Sequence, residues 1–83
     1  MDRVLIKVYV PSLEKSYDFF VPTDVRLHEI IALISSALEQ YTEGEYRSSH
    51  KEVLCTKEDG KVLDINYAAY ELGICNGSKL VLI

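Results

Sequence analysis

The sequence predicts an α+β fold, a mixed sheet of four to five strands packed on one amphipathic helix. Three observations carry that prediction. The segment Arg3–Val10 reads RVLIKVYV, with Val4, Ile6, Val8 and Val10 on one parity; Leu27, Ile30, Ile31, Ile34, Ala37, Leu38 and Tyr41 recur at spacings of three and four; and Lys79–Ile83 reads KLVLI, apolar after the lysine. Alternation is the period of a strand and three-and-four spacing is the period of a helix. A run that is apolar on both parities belongs to a strand in the middle of a sheet.

In chain order, the first strand stops at Pro11 and the polar PSLEKS stretch. Tyr17–Val21 resumes an extended pattern, with Tyr17, Phe19 and Val21 on the face opposite Asp18 and Phe20, which predicts a hairpin. Pro22, Thr23 and Asp24 then punctuate the chain. Thr23 or Asp24 can cap the helix, whereas Pro22 favours a turn and Glu29 suits the first turn of a later start near Arg26. Gly44 and the polar TEGEYRSSHK stretch mark the exit, a loop too hydrophilic to pack and therefore solvated. Val53–Thr56 and Val62–Leu63 flank Asp59-Gly60, a dipeptide suited to a tight reversal, and predict a second, weaker hairpin. Asn66–Leu72, with Tyr67, Ala68, Tyr70 and Leu72, is too short for a stable lone helix and reads as one helical turn plugging the core ends, stopped by Gly73. The Asn76-Gly77 turn launches the final strand. No repeat, linker or low-complexity tract interrupts this order.

Composition narrows the function. The chain has 83 residues, 48% apolar and 27% charged, which sets the expectation of one small domain over 1–83. Thirteen acids outnumber nine Lys and Arg, for a formal charge of −4, so counterion release has little to work with and no nucleic acid partner is expected. No apolar run is long enough to cross a bilayer and the first residues lack a signal-peptide core, so no direct membrane insertion and a cytoplasmic location are expected.

No catalytic, cofactor-binding or metal-binding residues are expected. Cys55 and Cys75 are too far apart for CxxC spacing and no second pair accompanies them; they read as ordinary reduced thiols. His28 lies on the helix and His50 in the polar loop, each without the i, i+4 partner of a metal-binding helix, and both read as solvent-exposed. Asp59-Gly60 and Asn76-Gly77 are not followed by the Lys-Ser/Thr of a phosphate loop. Glu39, Glu43 and Glu45 lack the ligand spacing of a calcium site and read as a solvated acidic edge.

Strand parity supplies the candidate site. If Val4, Ile6, Val8, Tyr17, Phe19, Val21, Leu80 and Leu82 face the helix, then Leu5, Tyr9, Phe20, Val81 and Ile83 lie on the outer face of the sheet, where a small domain ordinarily carries charge. A contiguous apolar patch there marks a protein-binding surface. The opposing reading is that Lys7, Asp18 and Lys79 interrupt the patch. Parity does not decide whether Val53 or Cys55 joins it. An apolar outer face and exposed strand edges can also support a homodimer.

The element order resembles the ubiquitin-like β-grasp fold, and the ending ELGICNGSKLVLI, Glu71–Ile83, resembles that family's closing helical turn, Gly-containing turn and last strand. Together with VPTDVRLHEIIALISSALE, Val21–Glu39, it is similar to the YukD/EsaB family, the small ubiquitin-like proteins of bacterial type VII (Esx) secretion systems. The same resemblance takes in the ubiquitin-like domain of the membrane component EccD. It implies a non-enzymatic accessory or regulatory protein of a Gram-positive bacterium, with no cofactor, whose partner is a type VII secretion membrane component or its cytosolic domain. It also implies use of the sheet face for binding. Conjugated relatives end in a flexible Gly-Gly tail, whereas this sequence stops at Ile83, so the alternative of a small modifier or sulfur carrier is disfavoured.

Overall fold

β1 (Arg3–Val10) and β2 (Lys15–Pro22) form an antiparallel hairpin in the computed structural model, which describes residues 2–83. Pro11–Glu14 makes the turn: the Leu13 and Glu14 N–H groups donate to the Val10 and Pro11 carbonyls, and Glu14 takes a positive φ of 54°. This turn sets the register Val10↔Lys15 and Val8↔Tyr17. β2 is longer at both ends than Tyr17–Val21, because pairing with β1 draws weak strand formers such as Lys15 and Ser16 into the ladder.

α1 spans Leu27–Tyr41 and starts at the later of the two positions left open by the sequence. Arg26 precedes it without a side-chain cap; the Leu27 and His28 N–H groups instead donate to the Tyr67 and Ile65 carbonyls at 2.9 and 3.1 Å. A distant loop therefore does the work expected of Thr23 or Asp24. The buried stripe is Leu27, Ile30, Ile31, Ile34 and Leu38, with Ser35 in place of the expected Ala37 and Tyr41. Tyr41 is exposed, its ring stacked 6.3 Å from that of Phe19. Among the described residues the buried Ser35 hydroxyl has no hydrogen-bond partner within normal distance. An unpaired buried hydroxyl costs about 1 kcal/mol or more, and alanine is the better helix former. Ser35→Ala is accordingly expected to raise the thermal midpoint by several degrees in a calorimetric scan.

The segment after α1 corrects the expectation of a solvated loop. Tyr46 is 9% exposed and belongs to the core. Thr42 starts the turn by donating its hydroxyl to the Leu38 carbonyl (2.7 Å) and accepting the Tyr46 N–H (2.8 Å). The Tyr46 phenol then donates to Glu52 at 2.8 Å, and the same carboxylate accepts the Ser48 hydroxyl and the Ser49 N–H. A polar loop can bury one aromatic ring when its phenol has a partner. Glu39, expected to be solvated, accepts the Ser48 N–H at 3.0 Å.

β3 (Leu54–Thr56) is a residue shorter than expected, and Val62 makes a single bridge to Cys55 instead of a strand. The helical turn expected within Asn66–Leu72 is a 3₁₀ helix over Ala69–Leu72; Ala69 is buried in it and Ala68 just before it, while Tyr67 and Tyr70 are exposed. Small side chains fit where the chain passes closest to the core. Gly73 ends the turn at φ 78°, a conformation that costs a side-chain-bearing residue energy. β4 (Lys79–Leu82) is parallel to β1 and antiparallel to β3, giving a four-stranded sheet in the order β2-β1-β4-β3. The doubly apolar last strand lies inside the sheet, as its composition requires. Ile6, Val8, Phe19, Val21, Leu80 and Leu82 meet the apolar stripe of α1 in one core.

Candidate protein-interaction surface

Alternation along β1 turns Leu5, Lys7 and Tyr9 away from the helix, and the registers then build rows across the outer face. Leu5 lies opposite Phe20. Lys7 lies between Asp18 on β2 and Lys79 on β4. Tyr9 lies opposite Val81, which lies opposite Cys55, and the Cys55–Val62 bridge extends that row. Ile83 follows β4 and exchanges two 3.0 Å hydrogen bonds with Val53.

The expected site residues therefore share one side of the sheet but do not form one patch. Phe20 and Ile83 are 66% and 67% exposed, Leu5 is 41% exposed, and Tyr9 and Val81 are half-buried. Leu5 and Phe20 make one apolar cluster; Tyr9, Val81 and Ile83 make another. The charged row of Asp18, Lys7 and Lys79 separates them, which sequence parity alone left open. Lys7 Nζ lies 3.7 Å from Asp18 Oδ1 with both side chains more than half exposed, a surface pair worth about 0–1 kcal/mol. Lys57 continues the charged row: its N–H donates to the Lys79 carbonyl and its ammonium sits 5.7 Å from the Tyr9 ring centroid.

Two contributors were missed by sequence reasoning. Val62 is 58% exposed beside Cys55 and enlarges the second cluster. The Asp59-Gly60 reversal carried that signal, since it returns the chain alongside Cys55; Gly60 takes φ 68° there, and Thr56 bonds Asp59 across the turn. Lys57 was the other. Cys55 has outer-face parity yet is buried, and Val53 is half-buried against Ile83.

Cys55 and Cys75 are free thiols, buried and exposed respectively. Exposed His28 and His50 border one cleft with Glu52 on the helix side. Among the described residues no cluster of His, Cys, Asp and Glu is placed to hold a metal ion, and no helix is long and apolar enough to cross a membrane.

No family model matches the chain and no curated protein matches its sequence. Solved structures do match its fold. The ubiquitin-like domain of EccD5 from Mycobacterium xenopi is 12% identical, with a TM-score of 0.82 over 100% of this chain and 94% of that one. The ubiquitin-like domain of the Mycobacterium tuberculosis type VII secretion system protein EccD1 is 14% identical, with a TM-score of 0.79 over 100% of this chain and 99% of that one. The ubiquitin of Caldiarchaeum subterraneum is 17% identical, with a TM-score of 0.76 over 99% and 92%. At such identities the likeness is one of architecture, and by that architecture the chain has the ubiquitin-like β-grasp fold.

Proposed function

We propose that this protein is a non-enzymatic accessory or regulatory protein of a type VII secretion system, of the YukD/EsaB kind. It works in the cytoplasm of a Gram-positive bacterium by binding a membrane component of the system, or its cytosolic domain, through Leu5, Tyr9, Phe20, Val81 and Ile83. The observation that carries this reading is the pair of apolar clusters on the outer sheet face, including Phe20 at 66% and Ile83 at 67% exposure. Large apolar side chains left in water on a sheet face mark a binding surface. The EccD ubiquitin-like domains support the choice of system, since they have the same fold over nearly their whole length.

The test is a titration of the purified protein against cytosolic domains of the host's type VII membrane components. Phe20→Glu and Ile83→Glu are each expected to weaken binding about tenfold or more. Their melting midpoints are expected to stay within a few degrees of the parent, because exposed substitutions typically change stability by no more than about 0.5 kcal/mol. Binding untouched by both variants removes the outer face from the reading. Recovery of the protein covalently joined to others moves it to the modifier class.

A further inference from the structure

We propose that Asn76-Gly77 is a site of spontaneous deamidation, and that the fold gates the reaction by tying both reacting groups to Leu5. The structure itself requires this dipeptide. The Ser78 N–H donates to the Cys75 carbonyl at 3.0 Å and closes a β-turn in which Gly77, the third residue, takes φ 85°, a conformation that favours glycine. Asn76 is required by its side chain: Oδ1 accepts the Leu5 N–H at 2.7 Å, while the Gly77 N–H donates to the Leu5 carbonyl at 2.8 Å. These two bonds extend the joint between β1 and β4 beyond the Lys7↔Lys79 pair. Asn76 and Gly77 are both exposed, so water reaches them.

The reaction is intramolecular and consumes only water. The Gly77 amide gives up its proton and its nitrogen attacks Asn76 Cγ; the new N–Cγ bond closes a succinimide ring, and the Cγ–Nδ2 bond breaks as ammonia leaves with a proton. Water then opens the ring at one carbonyl to give aspartate or at the other to give isoaspartate, with no change of oxidation state. Glycine leaves the attack unhindered, since it has no side chain to shield its nitrogen. The native turn misaligns the same atoms. The lone pair left on the Gly77 nitrogen points where its proton pointed, at the Leu5 carbonyl, and the Asn76 side chain cannot turn toward it without giving up the Leu5 N–H. Cyclisation therefore waits for both Leu5 bonds to open. The two products then differ. Aspartate at this position still offers Leu5 an oxygen, whereas isoaspartate routes the main chain through Cβ, turns the acceptor group into part of the peptide link and lengthens the chain just before β4. Asn66, the other asparagine, precedes the bulky Tyr67 and is expected to stay intact. Asp59-Gly60 is expected to stay intact as well: the Thr56 hydroxyl holds the Asp59 carboxyl below its ordinary range, and an aspartyl group cyclises as the neutral acid.

The test follows Asn76 by intact mass and peptide mapping in mildly alkaline buffer. It compares the native full chain, the chain unfolded in urea and a synthetic peptide of residues 74–79 in the same urea. Asn76 is expected to convert in the unfolded chain at the rate of the peptide, and in the native chain about tenfold or more slowly, with Asn66 as the internal reference. The native retardation is expected to match the hydrogen-exchange protection of the Leu5 and Gly77 amides, because the same opening admits both reactions. The isolated isoaspartate form is expected to lose that protection and to melt several degrees below the parent, whereas Asn76→Asp is expected to keep a midpoint close to the parent's. Native conversion at the rate of the peptide overturns the gate, as does a retardation that does not follow Leu5 and Gly77 protection. An Asn76 that stays intact in the unfolded chain overturns the site itself. An isoaspartate form as protected and as stable as the parent overturns the place given to the Asn76–Leu5 bond.

Discussion

Ile34→Ala is expected to lower the unfolding free energy by about 2–5 kcal/mol, the range for aliphatic truncation in a packed core. Ile34 is 1% exposed in the middle of the α1 stripe, in the same core as the inward residues of β1, β2 and β4. Its lost methylenes leave a void that neighbours held in the sheet cannot fill without shifting. In a domain this small the loss is a large share of the total stability. It should appear in chemical denaturation as a lower midpoint with an unchanged slope, and in calorimetry as a fall of about 10 °C or more. Leu33→Ala is the control: one residue away on the same helix but 58% exposed, it should change stability by no more than about 0.5 kcal/mol. Equal losses in the two variants would mean that α1 does not pack on the sheet by the Ile34 face.

Tyr46→Ala is expected to cost about 3 kcal/mol, and Tyr46→Phe about 1–2 kcal/mol, because the second keeps the ring and loses only the hydrogen bond. The pH dependence identifies the pair. Burial, reinforced by the hydrogen bond to Glu52 and its negative charge, pushes the Tyr46 phenol up from 10.0 to about 12. Partial burial raises the Glu52 carboxyl, but the Tyr46 phenol, the Ser49 N–H and the Ser48 hydroxyl together outweigh it and hold the group below its ordinary value. For Tyr46 the folded protein holds its proton more tightly than the unfolded chain does. That stabilisation is complete below pH 10 and is lost as pH rises toward about 12. For Glu52 the unfolded chain holds the proton more tightly. Its stabilisation is complete above the ordinary glutamate pKa of about 4.3 and is lost as pH falls through the depressed folded value. Urea midpoints measured across pH should form a plateau that falls on both sides. Tyr46→Phe should remove the alkaline fall due to this phenol and shrink the acid one, since the Glu52 carboxylate loses a donor. A profile unchanged by Tyr46→Phe would sink this account of the loop.

The strands and the helix were legible because their signals are local. Val4, Ile6, Val8 and Val10 declare a strand by alternation, and Ile30, Ile31, Ile34 and Leu38 declare a helix face by spacing. The Tyr46–Glu52 bond was not legible, since a tyrosine in a polar run has no periodic signal and its burial depends on a carboxylate that the turn brings back to it. The helix start was hidden for the same reason: the carbonyls that receive the Leu27 and His28 N–H groups belong to residues 67 and 65.

The fold class, the central position of KLVLI and the shared side of Leu5, Tyr9, Phe20, Val81 and Ile83 follow from the residues alone, because side-chain parity depends only on the backbone period. Their division into two clusters with a lysine row between them emerges once the strands pair. Which residues stand opposite one another depends on the register of β1 with β2 and β4, and that register is set jointly by the Pro11–Glu14 turn, the Asn76 and Gly77 bonds to Leu5, and the packing of the inner faces on α1. No single strand contains that information.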